Sequence, residues 1–178
     1  MLEEINEDFC RQVLEPALEL PDTNWRQMMD YVIERNLFVM PVGTDGNWLR
    51  YHRIFLDFLQ KRIKHTRPDE TNKIQLHLAE TLTAQQEWEL AYDLYQQLGN
   101  EGAQLDLIEM AGSHLIVSGR LELLITWISA LPEEVRVNRP AILSLQGSAI
   151  AMRDDPHEGI ALLDKAIDAM QFPRDKQY

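Results

Sequence analysis

Asn36-Leu37-Phe38-Val39-Met40-Pro41-Val42-Gly43-Thr44-Asp45-Gly46-Asn47-Trp48-Leu49-Arg50-Tyr51-His52 holds two runs suited to β structure, joined by a polar loop with Asp45-Gly46 at its tip. Such a pattern predicts a β-hairpin. The preceding segment, Trp25 to Asn36, places Trp25, Met28, Met29, Val32 and Ile33 on one helical face behind a Thr23/Asn24 N-cap. A helix followed by such a hairpin is the wing of a winged-helix domain. Working outward, residues 4–15 predict a helix stopped by Pro16, and Tyr51 to Lys64 predicts another that buries Ile54, Phe55, Phe58, Leu59 and Ile63. Pro68 then marks a break, since proline disfavours helix at the residue before it. The winged-helix domain is therefore expected over residues 1–65.

From Asp69 onward only helix is legible, and it repeats. Gln86, Gly119 and Asp154 are turn-like sites 33 and 35 residues apart (86 to 119, 119 to 154), close to the ~34 of a tetratricopeptide unit. Seven residues before them stand Ala79, Gly112 and Gly147; five after stand Ala91, Leu124 and Gly159. Small residues there let two antiparallel helices approach. Apolar triplets recur in step: Leu82, Leu115 and Ile150; Leu94, Trp127 and Leu162; Tyr95, Ile128 and Leu163; Leu98, Leu131 and Ala166. The expected fold is mainly α: a winged helix with a β-hairpin, then tetratricopeptide-like helix pairs over 69–178 forming an α–α superhelix. In such arrays the first helix of each pair lines a groove. Gln75, Ile108 and Leu143 are its expected lining.

The net charge of −12 is uneven: residues 1–65 carry 8 Lys/Arg against 11 Asp/Glu (−3), and residues 66–178 carry 9 against 18 (−9). Neutralising phosphates supplies most non-specific nucleic-acid affinity. The helix Trp25–Asn36 mixes Arg26 and Arg35 with Asp30 and Glu34, so no nucleic-acid binding is expected. No apolar run approaches the ~20 residues of a membrane span, and Met1-Leu2-Glu3-Glu4 lacks the basic start of a signal peptide. With a single cysteine, Cys10, the composition fits a reducing cytoplasm and no membrane partner. The five histidines show no zinc spacing, and neither a P-loop nor a G-x-S-x-G is present. No catalytic or metal site is expected, and Cys10 reads as a structural thiol.

The run Arg35-Asn36-Leu37-Phe38-Val39 to Trp48-Leu49-Arg50-Tyr51-His52-Arg53-Ile54-Phe55-Leu56-Asp57-Phe58-Leu59 resembles a stretch of MalT-like, LuxR-type regulators of the STAND class (signal-transduction ATPases with numerous domains). The segment Gly119-Arg120-Leu121-Glu122-Leu123-Leu124-Ile125-Thr126-Trp127-Ile128-Ser129-Ala130-Leu131-Pro132-Glu133-Glu134 is similar to one of their repeats. The resemblance implies a non-enzymatic regulatory fragment of a bacterial transcription regulator. Its repeats would receive an inducer or regulatory protein and relay that binding to an ATPase domain outside this sequence. ATP or ADP would belong to that domain, so no cofactor is expected in the fragment. By the same resemblance, His52 is a candidate to sense nucleotide. The alternative is a stand-alone repeat adaptor with a structural winged helix.

Overall fold

A computed structural model describes residues 4–20, 22–35, 37–43, 48–153 and 155–171. It is a winged helix followed by helix-pair repeats. By packing, the chain divides into two compact units, Met1–Leu94 and Tyr95–Tyr178.

In the first unit a short strand, β1 (Glu4–Ile5), precedes three consecutive helical pieces: α1 (Glu7–Phe9), a π turn (Cys10–Leu14) and α2 (Glu15–Leu18). Two expectations are corrected here. Residues 4 and 5 are strand, not helix, because Ile5 pairs with Leu49 and Glu4 with Arg50. The helix also does not stop at Pro16. The π turn, closed by the Glu15 N–H donating to the Cys10 carbonyl, shifts the ladder so that Pro16 falls in the first turn of α2, where no N–H is required.

The helix α3 (Trp25–Glu34) is capped by the Asn24 side chain, which accepts from the Gln27 N–H at 3.0 Å. Trp25 is buried and its Nε1 donates to Glu15 Oε1 at 2.6 Å, tying α3 to α2. Met28, expected on the inner face, is instead half exposed. The strands β2 (Val39–Val42) and β3 (Trp48–Tyr51) pair antiparallel, Val39 with Tyr51 through Val42 with Trp48. The sheet order is β1-β3-β2, so Pro41 lies on an edge strand, where its missing N–H is tolerated. Leu49 of the central strand is the sheet's buried residue. The expected turn tip, Asp45-Gly46, lies outside the described residues.

After the wing come α4 (Arg53–Thr66) and α5 (Pro68–Ala84), separated by Arg67 alone. The Arg67 N–H closes α4 onto the Ile63 carbonyl at 2.8 Å, and its own carbonyl opens α5 by accepting from Thr71 at 3.1 Å. The helix α5 packs on the π turn, α2 and α4. The next helix, α6 (Trp88–Gln97), carries the boundary between the units.

The second unit contains α7 (Glu101–Val117), α8 (Leu121–Ala130), the short α9 (Glu133–Val137), α10 (Pro140–Arg153) and α11 (Pro156–Gln171). Its core is apolar and sealed: Leu107, Ile108, Leu115, Leu124, Ile128 and Ile142 are all under 2% exposed. Two ion pairs lie at its surface, Arg139–Glu109 and Arg153–Glu122.

One hydrogen-bonding device ends the first helix of every pair. The Glu87 N–H donates to the Leu82 carbonyl at 2.9 Å, Arg120 to Leu115 at 2.8 Å, and Asp155 to Ile150 at 3.2 Å. These are the 6→1 bonds of a Schellman motif, which needs a left-handed residue between donor and helix. Gln86 (φ 62°) and Gly119 (φ 73°) supply it. The third such site, Asp154, lies outside the described residues.

Candidate functional site

The wing and α4 form one aromatic ledge. Phe38 adopts φ 57°, a left-handed conformation uncommon for a residue with a bulky side chain, and leaves its ring 62% exposed. Its carbonyl accepts from the His52 N–H at 2.8 Å, and its ring lies 4.7 Å from that of Phe55. Phe55 also faces Tyr51 at 6.5 Å and Phe58 at 6.3 Å. Such centroid separations fall within the range of favourable aromatic pairs.

The helix α4 turns only part of its expected face inward. Phe55, Leu56 and Leu59 point inward and are half-buried, whereas Ile54 is 74% and Phe58 53% exposed, and Ile63 is also exposed. Ile54 and Phe58 are four residues apart and therefore share one stripe, and the stripe holding Phe55 and Leu59 is the one turned toward the protein. Periodicity marks such stripes without saying which is inside when both are apolar.

His52 is the N-cap residue of α4, with extended backbone and an exposed side chain that makes no capping bond. Of the groove candidates, Gln75 is half-buried on α5. Ile108 (0% exposed) and Leu143 (5%) are core residues; as closed-off apolar side chains they cannot line a groove open to a ligand, and that assignment is corrected.

The small repeat positions are all buried, with different neighbours. Ala79 and Ala91 are fully enclosed. Gly147 and Gly159 pack α10 against α11 backbone to backbone: a Cβ on Gly147 would lie 2.8 Å from the Gly159 carbonyl oxygen. At Gly112 the nearest atoms belong to the following pair. A Cβ there would meet Leu145 Cδ1 at 2.5 Å, on α10 of the following pair. Leu124 is buried within the same unit.

Cys10 is 2% exposed, and its thiol is pushed up to about 11, by burial first and then by the Glu7 and Glu15 carboxylates. Burial and the neighbouring Cys10 also raise the Tyr51 phenol. A buried thiol held protonated is a poor nucleophile. Between α1, α3 and Leu49 of β3 lies a cavity of about 240 Å³ lined by Asn6, Glu7, Asp8, Arg26 and Asp30 among others. Among the described residues no three His, Cys, Asp or Glu side chains are grouped to hold a metal ion, and no helix is long and apolar enough to cross a membrane.

Residues 1–71 match the family described as the MalT winged helix domain. The chain is also similar to serine/threonine-protein kinase PknK of Mycobacterium tuberculosis and to its counterpart in Mycobacterium bovis, 25% identical in each case over 117 residues. The similarity covers 66% of this chain and 10% of each kinase, so the chain spans about a tenth of the length of these curated relatives. No solved structure gives a significant match.

Proposed function

We propose that this chain is a non-enzymatic regulatory module of a MalT-like transcription regulator, in which the repeats take up a signal and the winged helix passes it to an ATPase domain. The observation that carries the reading is the joint at Arg67. A MalT-type winged helix runs into the first repeat helix through one residue, which closes α4 and opens α5 with consecutive backbone hydrogen bonds. A joint of this kind transmits a tilt of α5 to α4 and thence to Phe38 and His52 at the base of the wing. The signal would be an inducer or a regulatory protein held on the repeats, and the ATP or ADP would belong to the ATPase domain. His52, exposed at the start of α4, is free to meet a nucleotide held by that domain. The net charge of −12 supports a module that contacts protein rather than DNA, in the cytoplasm with the rest of the regulator.

The test perturbs the repeat and reads the wing. Ala79 is fully buried on α5, so Ala79→Leu displaces that helix. In a relay, amide hydrogen exchange in β2 and β3 quickens in this variant. In a stand-alone adaptor the wing would keep its protection, and the regulator reading would fail.

A further inference from the structure

In a chain of net charge −12, residues 53–67 carry Arg53, Lys61, Arg62, Lys64 and Arg67 against Asp57 alone, a local balance of +4 (5 − 1). All six side chains are exposed. Arg67 is occupied by Glu70 at 3.2 Å, but Arg53, Lys61, Arg62 and Lys64 make no ion pair among the described residues. They share α4 with the outward Ile54 and Phe58, and the exposed ring of Phe38 extends the apolar strip beside Phe55. An exposed apolar strip bordered by unpaired charge of one sign is the make-up of a recognition surface, since a free monomer gains nothing from either feature.

We propose that the outward face of α4, together with Phe38, docks an acidic amphipathic helix of a partner protein. The apolar anchors Ile54 and Phe58 stand one helical turn apart, the spacing at which a helix presents its own i and i+4 side chains. Arg53 stands at the start of α4 and Lys61, Arg62 and Lys64 in its C-terminal half, so the partner carries carboxylates on both sides of its apolar stripe. Charge selects against the other occupants. A second copy bringing its own α4 sets like charge on like charge. An anionic bilayer or a nucleic-acid duplex is extended, and meets the −16 carried by the rest of the chain (12 Lys/Arg against 28 Asp/Glu). A single helix needs only the local field, because screening confines charge interactions to ~8 Å at physiological salt. The inference does not depend on the regulator reading.

The test uses the full chain and a fluorescein-labelled helical peptide with Leu at i, i+3, i+4 and i+7 spacing and Glu elsewhere, followed by anisotropy. Binding is expected, and is expected to weaken by about tenfold or more with Lys61→Glu/Arg62→Glu, with Phe58→Asp, and on raising salt from about 50 to about 500 mM. The same peptide with Lys in place of Glu should not bind. All three substituted positions are exposed, and far-ultraviolet circular dichroism confirms that the variants fold. The proposal is overturned by absence of binding, by equal binding of the Lys peptide, or by variants that bind like the parent chain. It is equally overturned if α4 substitutions abolish binding to phosphatidylserine vesicles or duplex DNA while peptide binding stays unchanged.

Discussion

Gly147 and Gly159 hold α10 and α11 together by contact of their backbones: a Cβ on Gly159 would lie 2.6 Å from the Gly147 carbonyl oxygen, and one on Gly147 2.8 Å from that of Gly159. A backbone carbonyl inside a helix cannot step aside as a side chain can, so a methyl group here forces the helices apart. At Gly112 the obstacle is the end of the Leu145 side chain, which can change rotamer. Gly159→Ala should therefore cost ~1–3 kcal/mol of overpacking, less the ~1 kcal/mol of helix propensity that alanine adds. Gly112→Ala should fall near neutral. Thermal melts of the two variants check the order; a Gly112→Ala chain less stable than Gly159→Ala would contradict this account of the packing.

The left-handed residue of the first repeat is Gln86, where the second repeat uses Gly119. A side chain in that conformation costs about 1–2 kcal/mol that glycine avoids. Gln86→Gly should stabilise the chain by about 1 kcal/mol, and Gly119→Gln should destabilise it by a similar amount. Chemical denaturation of both variants measures the pair.

Cys10 gives stability a dependence on alkaline pH. Its ordinary value is 9.0 and folding raises it to about 11, so above pH 9 the unfolded chain releases this proton while the folded chain keeps it. The contribution is complete below pH 9 and is lost as pH rises from 9 toward 11; a shift of about two units amounts to roughly 2–3 kcal/mol. Cys10→Ala should flatten the fall in stability over that window. In the native chain, the thiol should resist iodoacetamide at pH 8 until denaturant is added.

Phe58 has its ring about half in solvent and stacked on Phe55. Phe58→Ala should cost no more than the ~0.5–1.5 kcal/mol of an aromatic pair, well below the ~3–5 kcal/mol of a buried phenylalanine. A denaturation midpoint shifted by the larger amount would show the ring to be enclosed.

The chain is expected not to bind duplex DNA with useful affinity, because α3 sets Arg26 and Arg35 beside Asp30 and Glu34, and Arg35 already stacks on Tyr31 at 5.0 Å. A mobility-shift titration at low salt should leave the duplex free; tight binding that salt weakens would reverse the expectation.

The sequence by itself determined the hairpin, the helix pairs and their order. Alternating β-formers around a polar tip declare a hairpin, and a fixed spacing of small, apolar and turn residues declares helix pairs, because both signals are local and periodic. The Schellman ends at Leu82, Leu115 and Ile150 fall where that spacing puts them. Only the tertiary structure decided what each stripe meets. β1 exists because β3 offers Glu4 and Ile5 a partner 46 and 44 residues away, and no local pattern in two residues announces that. Ile108 and Leu143 are core, Gly112 meets the next pair, and Ile54 and Phe58 face solvent. An apolar periodicity names a face of a helix, but the neighbour that covers it, or leaves it open, is chosen by contacts distant in sequence.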